Sequence, residues 1–339
     1  MRRVHSVAAV ACVIAAALSG CGDRVQGHAD RVGGPEGTLF LAGMGEMWEV
    51  DVASGSVEHV RLPELGAGDP PHLIAAVGDR LALWNYDVTT VPMKDPSAPP
   101  QTLARDAWIF IPAANPDRLW VGFLDPDSPA TERGLGELRE IDSRGDVVTR
   151  GVTPPDGAWP YAEVGGALLF QAPKPTLWDP VSGRTLRTWD WDQIGDMGPV
   201  SRNLLASDIY KTGELVLTDV TTGQQQRIAP PRGMALLGYD GTFSPDGGTL
   251  ALPVKEAGDP EADLDLALVD VKTGGIELVP GSRVPTGYVF TAWSSDGDAV
   301  FMTGGERFHP RVLVSYRLGD ERANTLDVDV GDFYDIAAR

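Results

Sequence analysis

A chain of 339 residues with 48 acidic against 28 basic side chains carries a formal net charge of −20 at pH 7. Such a field repels nucleic acid and anionic lipid headgroups, so neither is expected as a surface partner. The two cysteines, Cys12 and Cys21, both lie near the start of the chain and leave no material for a disulfide framework or a cysteine metal site beyond residue 21.

The first element reads as an export signal. Arg2 and Arg3 supply a short positive region, and Val7 to Leu18 form an apolar stretch of twelve residues. A membrane-spanning helix needs about 20 residues, so this stretch is too short to be one. It ends in Leu18-Ser19-Gly20-Cys21. These four residues resemble the lipobox of bacterial lipoproteins, in which small residues fit the signal peptidase and the cysteine thiol takes a diacylglycerol. The resemblance implies a signal peptide over 1–20, lipidation of Cys21 and stable attachment to the outer side of the cytoplasmic membrane through the acyl chains. An ordinary secretory signal that carries a cysteine is the alternative. Residues 22–37 are Gly-rich without periodicity, and with Cys21 they read as a lipidated, flexible tether over 21–37.

From Thr38 to the end, short runs rich in Val, Leu, Ile, Trp and Tyr alternate with Gly, Pro and Asp clusters, and helical periodicity is almost absent. That is an all-β pattern of many short strands. Four turns repeat Asp-x-x-Ser/Thr-Gly, at Asp51–Gly55, Asp179–Gly183, Asp219–Gly223 and Asp270–Gly274. Asp accepts backbone N–H bonds at such a turn, and Gly enters the left-handed region without a Cβ clash. With weaker copies near Asp95, Asp142 and Arg317, the marks recur every 37 to 51 residues. A period of about 40–50 residues with four short strands per unit predicts a β-propeller over 38–339. Seven blades are expected, with six as the alternative because the unit at 160–190 is short. The first unit holds only three strands after the tether, so the terminal segment Asp332 to Ala338 is expected to supply its innermost strand and close the ring.

A second mark sits between the first and second strands of the later units: Phe243-Ser-Pro-Asp246-Gly247 and Trp293-Ser-Ser-Asp296-Gly297, with degenerate copies at Ala113–Arg118 and Val77–Arg80. This form resembles the WD40-like repeat of TolB-type propellers, a resemblance that implies fold rather than role. Asp179–Gly183 followed by Trp189 is faintly similar to the quinoprotein repeat, but Arg187 stands where that repeat has its tryptophan, so no quinone or other cofactor is expected.

Candidate site residues come from the starts of the innermost strands, where His72, Trp108, Tyr161, Tyr239, Tyr288 and Tyr334 put a ring or imidazole at six of seven blades. Such a circle at a channel mouth can stack on a flat ligand or anchor a partner; equally, large residues can plug the channel and pack between blades. Acidic loops at Asp125–Asp127, Asp259–Asp265, Asp296–Asp298 and Asp327–Asp332 raise calcium, but none has the twelve-residue loop spacing. The histidines stand alone, and no Gly-x-Ser-x-Gly elbow or phosphate loop occurs, so no catalytic or metal residues are assigned. The expected function is a monomeric, membrane-anchored binding or scaffold protein for an envelope partner. Its rivals are a propeller hydrolase or lactonase-like enzyme with a metal on Glu163, Asp240 and Asp335, and a small-molecule sensor or carrier.

Overall fold

The computed structural model describes residues 24–26, 38–43, 47–60, 73–125, 134–155, 158–171, 173–209, 213–287, 289–306, 309–328, 330 and 333–338. They form seven small antiparallel sheets, the blades of a seven-bladed β-propeller. Blade 2 shows the plan: Leu73–Val77, Arg80–Asn85, Asp87–Pro92 and Gln101–Ala104 succeed one another from the inside outward. Blades 3, 4, 5 and 7 repeat it over Ala107–Val152, Trp159–Thr188, Asp196–Ile228 and Thr291–Asp327. The short unit that left six blades open is therefore a complete four-stranded blade. The innermost strands abut one another around the whole ring.

Blade 1 is closed as expected. Phe333–Ala338 pairs antiparallel with Thr38–Gly43, from Leu39 opposite Ala338 to Gly43 opposite Phe333. Inside the stretch read as a tether, Arg24–Gln26 pairs with Ser56–Val60 as an extra outermost strand. Cys21 lies outside the described residues. Among those described, no helix is long and apolar enough to cross a membrane.

The core consists of seven layers, one at each junction between blades. Alternate residues of a strand point to opposite faces of its sheet, so one strand serves two layers. Leu39 and Leu41 pack against Ala292 and Phe301 of blade 7, whereas Phe40 between them packs against Ile74 and Leu81 of blade 2. In the same way Leu81 and Leu83 face blade 1 and Ala82 faces blade 3. Burial on both faces is why these strands read as unbroken apolar runs rather than as alternating ones.

The repeated turns are held by their own aspartates. In all four Asp-x-x-Ser/Thr-Gly copies the glycine N–H donates to the aspartate carbonyl, at 2.6–2.9 Å. Each of these glycines has φ between +67° and +77°, the left-handed region that disfavours a Cβ. The carboxylates of Asp51 and Asp270 each take a backbone N–H three residues on, at 2.6 Å. The second mark is equally regular. Ser244 Oγ donates to Asp246 at 2.6 Å and accepts from Thr249 N at 2.9 Å, and Ser294 repeats both bonds with Asp296 and Ala299 at the same distances.

Blade 6 departs from the plan. Tyr239, expected to start an innermost strand, lies in a 3-10 turn, Gly238–Asp240, that splits this strand into Met234–Leu236 and Thr242–Phe243, both paired with Thr249–Glu256. The backbone at this break is closely packed. A Cβ on Gly238 would stand 2.8 Å from Leu215 Cδ1, and one on Gly241 would stand 2.9 Å from the Ala251 carbonyl oxygen.

Candidate functional site

In an antiparallel blade the turns after the first and third strands share one face. The turn after the second strand and the start of the next innermost strand share the other. All the Asp-Gly turns therefore lie on one face, and the aromatic strand starts lie on the opposite face, the channel mouth.

Of the six predicted mouth residues, His72 and Tyr288 lie outside the described residues, and Tyr239 and Tyr334 are placed by backbone alone, in Gly238–Asp240 and Phe333–Ala338. Trp108 and Tyr161 have described side chains, and the two are used differently. The Tyr161 hydroxyl lies 2.9 Å from the carbonyl oxygens of both Met197 and Gly198, to which it donates, tying blade 4 to the innermost strand of blade 5. Its ring packs in the layer between those blades.

Of the residues considered for a channel metal, the Glu163 carboxylate faces structural partners, Asp240 is tied to blade 7 through its backbone, and Asp335 is placed by backbone alone. Glu163 Oε2 accepts from Ala114 N at 2.9 Å and from Trp120 Nε1 at 2.8 Å, both in blade 3. The Asp240 carbonyl accepts from Thr291 Oγ1 at 2.9 Å, joining blade 6 to blade 7. Among the described residues no three His, Cys, Asp or Glu side chains converge for a metal.

Trp108 is 38% exposed on the second residue of Ala107–Pro112. Its neighbour is Tyr86, a residue that its sequence context alone does not single out as a mouth residue, at the turn between the second and third strands of blade 2. The two rings lie 5.9 Å apart at 52°, and Tyr86 lies 5.7 Å from Trp84 at 49°. Trp84 anchors the group from below, because its indole Nε1 donates to the Ala107 carbonyl at 2.8 Å. Tyr86 is 47% exposed, and its hydroxyl and the Trp108 indole N–H have no partner within the described chain.

The backbone of this corner is strained. Tyr86 and Asp106 both have φ of 55°, a region that Asp tolerates but that bulky side chains such as Tyr rarely enter. Such a conformation costs about 1–3 kcal/mol and persists where surrounding contacts hold it. Here the Asp106 N–H donates to Asp87 Oδ1 at 2.9 Å, locking the two turns together. The available signal was Asn85-Tyr86-Asp87 itself, an aromatic residue in a turn between two strand-forming runs, where Gly or Asn is usual.

The acidic loops at Asp259–Asp265 and Asp296–Asp298 have local partners. Asp259 Oδ1 accepts from Glu261 N at 2.9 Å, and Asp265 pairs with Arg283 at 2.9 Å. They border an open groove of about 450 Å³ in blade 6, where Arg232 and Arg283 face Glu256, Asp259, Asp263 and Asp265. Asp296 is held below the usual carboxylate range by the Ser294 hydroxyl and then by the Asp298 N–H. Ser244 and the Gly248 N–H do the same for Asp246. Asp127, Asp329 and Asp332 lie outside the described residues.

No protein-family model and no curated protein matches this chain. Among solved structures it is similar to a functionally unknown protein from Desulfotomaculum acetoxidans DSM 771, with 10% identity over 90% of this chain and 99% of that one and a TM-score of 0.54. It is also similar to apo AztD from Citrobacter koseri, with 11% identity over 90% of this chain and 98% of that one and a TM-score of 0.49. At 10% identity the likeness to the Desulfotomaculum protein is one of fold.

Proposed function

We propose that this chain is a lipid-anchored, extracytoplasmic binding protein whose propeller receives a partner of the cell envelope at the Tyr86–Trp108 corner. The observation that carries this reading is the corner itself. Two large rings stay substantially exposed beside the channel mouth, on a backbone held in a costly conformation, with an indole N–H and a phenol hydroxyl that have no partner among the described residues. Aromatic residues with a polar tip concentrate binding energy in protein contacts. Tyr161 and Glu163, by contrast, are absorbed by contacts between blades. The anchor rests on Leu18-Ser19-Gly20-Cys21, and the TolB-type kinship on the Phe243–Gly247 and Trp293–Gly297 turns. The domain is proposed to act as a monomer, without a cofactor.

In-cell photo-cross-linking from the corner, with Tyr86→Asn as control, tests the binding reading. Asn suits a positive φ, so the control keeps the turn while losing the ring. One envelope protein captured by the native chain and lost in the control supports the reading; identical capture by both, or none, sinks it. Fatty-acid labelling that disappears in Cys21→Ala, with release of the protein from membranes, tests the anchor.

A further inference from the structure

The corner does more than expose two rings: its geometry and charge select a kind of ligand. Rings tilted by 52° at 5.9 Å are in tilted contact and do not form one flat platform. A flat sugar face stacks on a platform, whereas an angle between two ring faces suits a compact cation, which is drawn to the negative face of each ring. Two carboxylates stand at the same turns. Asp87 uses one oxygen for the Asp106 N–H, and the exposed Asp106 carboxylate accepts no hydrogen bond within the described chain. Elsewhere the protein fills such places itself. Arg139 lies 4.5 Å over the Phe123 ring, and Arg187 lies 5.8 Å from Trp189. Among the described residues, no cation of the chain covers Tyr86 or Trp108.

Resting on the binding reading above, we infer that the corner takes a lysine or arginine side chain from an extended, basic segment of the partner. The cation would sit between the rings of Tyr86 and Trp108, with Asp106 and Asp87 beside it. The Trp108 indole N–H would donate to a backbone carbonyl of the same segment. The net charge of −20 favours approach of such a segment from any direction.

The test is fluorine NMR of the purified full chain labelled with fluorotryptophan, with the Trp108 resonance identified by its loss in Trp108→Phe. The probes are an acetylated Gly-Lys-Arg-Gly amide, its Gly-Glu-Glu-Gly counterpart and a neutral glucose oligosaccharide. The expected result is a saturable shift of the Trp108 resonance with the basic peptide alone, weakening as salt screens the charges. Tyr86→Asn should abolish it, and Asp106→Asn, which keeps the turn and removes one charge, should weaken it about fivefold. Both variants are first shown to melt as the native chain does. A shift with the oligosaccharide or the acidic peptide overturns the cation assignment and leaves the corner a binding site. No shift with any probe also overturns it, and the cross-linking result then decides the broader reading separately.

Discussion

Leu39 and Ala338 are paired across neighbouring strands, so residues at opposite ends of the folded domain close blade 1 together. A ring closed this way has no exposed sheet edge at its seam, and losing the closing strand would bare the edge of Thr38–Gly43. Deletion of residues 333–339 is therefore expected to abolish cooperative unfolding, as followed by circular dichroism. Loss of those residues with an unchanged melting curve would show that the pairing contributes nothing.

Phe40 is fully buried in the layer between blades 1 and 2. Truncation there leaves a cavity against Ile74 and Leu81, and Phe40→Ala should cost about 3–5 kcal/mol in chemical denaturation. Val181, 88% exposed at a turn, is the contrast, and Val181→Ser should stay within about 0.5 kcal/mol of the native chain.

Glu163 offers a way to tell a structural carboxylate from a chemical one. Glu163→Ala strands the indole N–H of Trp120, a residue only 3% exposed, and should cost about 1–3 kcal/mol. Glu163→Gln keeps an oxygen acceptor and should cost clearly less. Equal losses from both variants would show that the negative charge matters beyond hydrogen bonding.

Acid should weaken the turns. Asp270 is held below the usual carboxylate range by the Thr273 N–H and then the Thr273 hydroxyl, and Asp246 and Asp296 by Ser244 and Ser294. A carboxylate with a depressed folded pKa stabilises the fold above its unfolded value, near 3.9, and loses that contribution as pH falls through the folded value. The melting temperature is expected to fall below about pH 4, and the double variant Asp246→Asn, Asp296→Asn should fall less steeply. A slope identical to that of the native chain would remove these two turns from the account of acid sensitivity.

Much of the architecture was legible because its causes are local. An aspartate and a glycine four residues apart carry both hydrogen bonds of a turn within one short segment, and copies at Asp51, Asp179, Asp219 and Asp270 mark the repeat whatever the rest of the chain does. Strands buried on both faces announce themselves as apolar runs, as at Leu39–Leu41 and Leu81–Leu83. Three strands before the first full unit and a spare run at the end were enough to place the closure. The interruption of the innermost strand of blade 6 was not legible, because the close approach of Leu215 and Ala251 to Gly238 and Gly241 is a contact between segments distant in sequence or on a paired strand.

The use of each aromatic residue lay beyond such reasoning. Tyr161 and Trp108 look equivalent as strand starts, yet the hydroxyl of one reaches a carbonyl 36 residues away while the ring of the other remains open. Tyr86 acquires its meaning from Trp108, which belongs to the next blade. Turn chemistry acts over a few bonds and survives in the order of residues. Contact across a blade boundary depends on the angle at which two sheets meet, and that angle is set when the seven blades close into a ring.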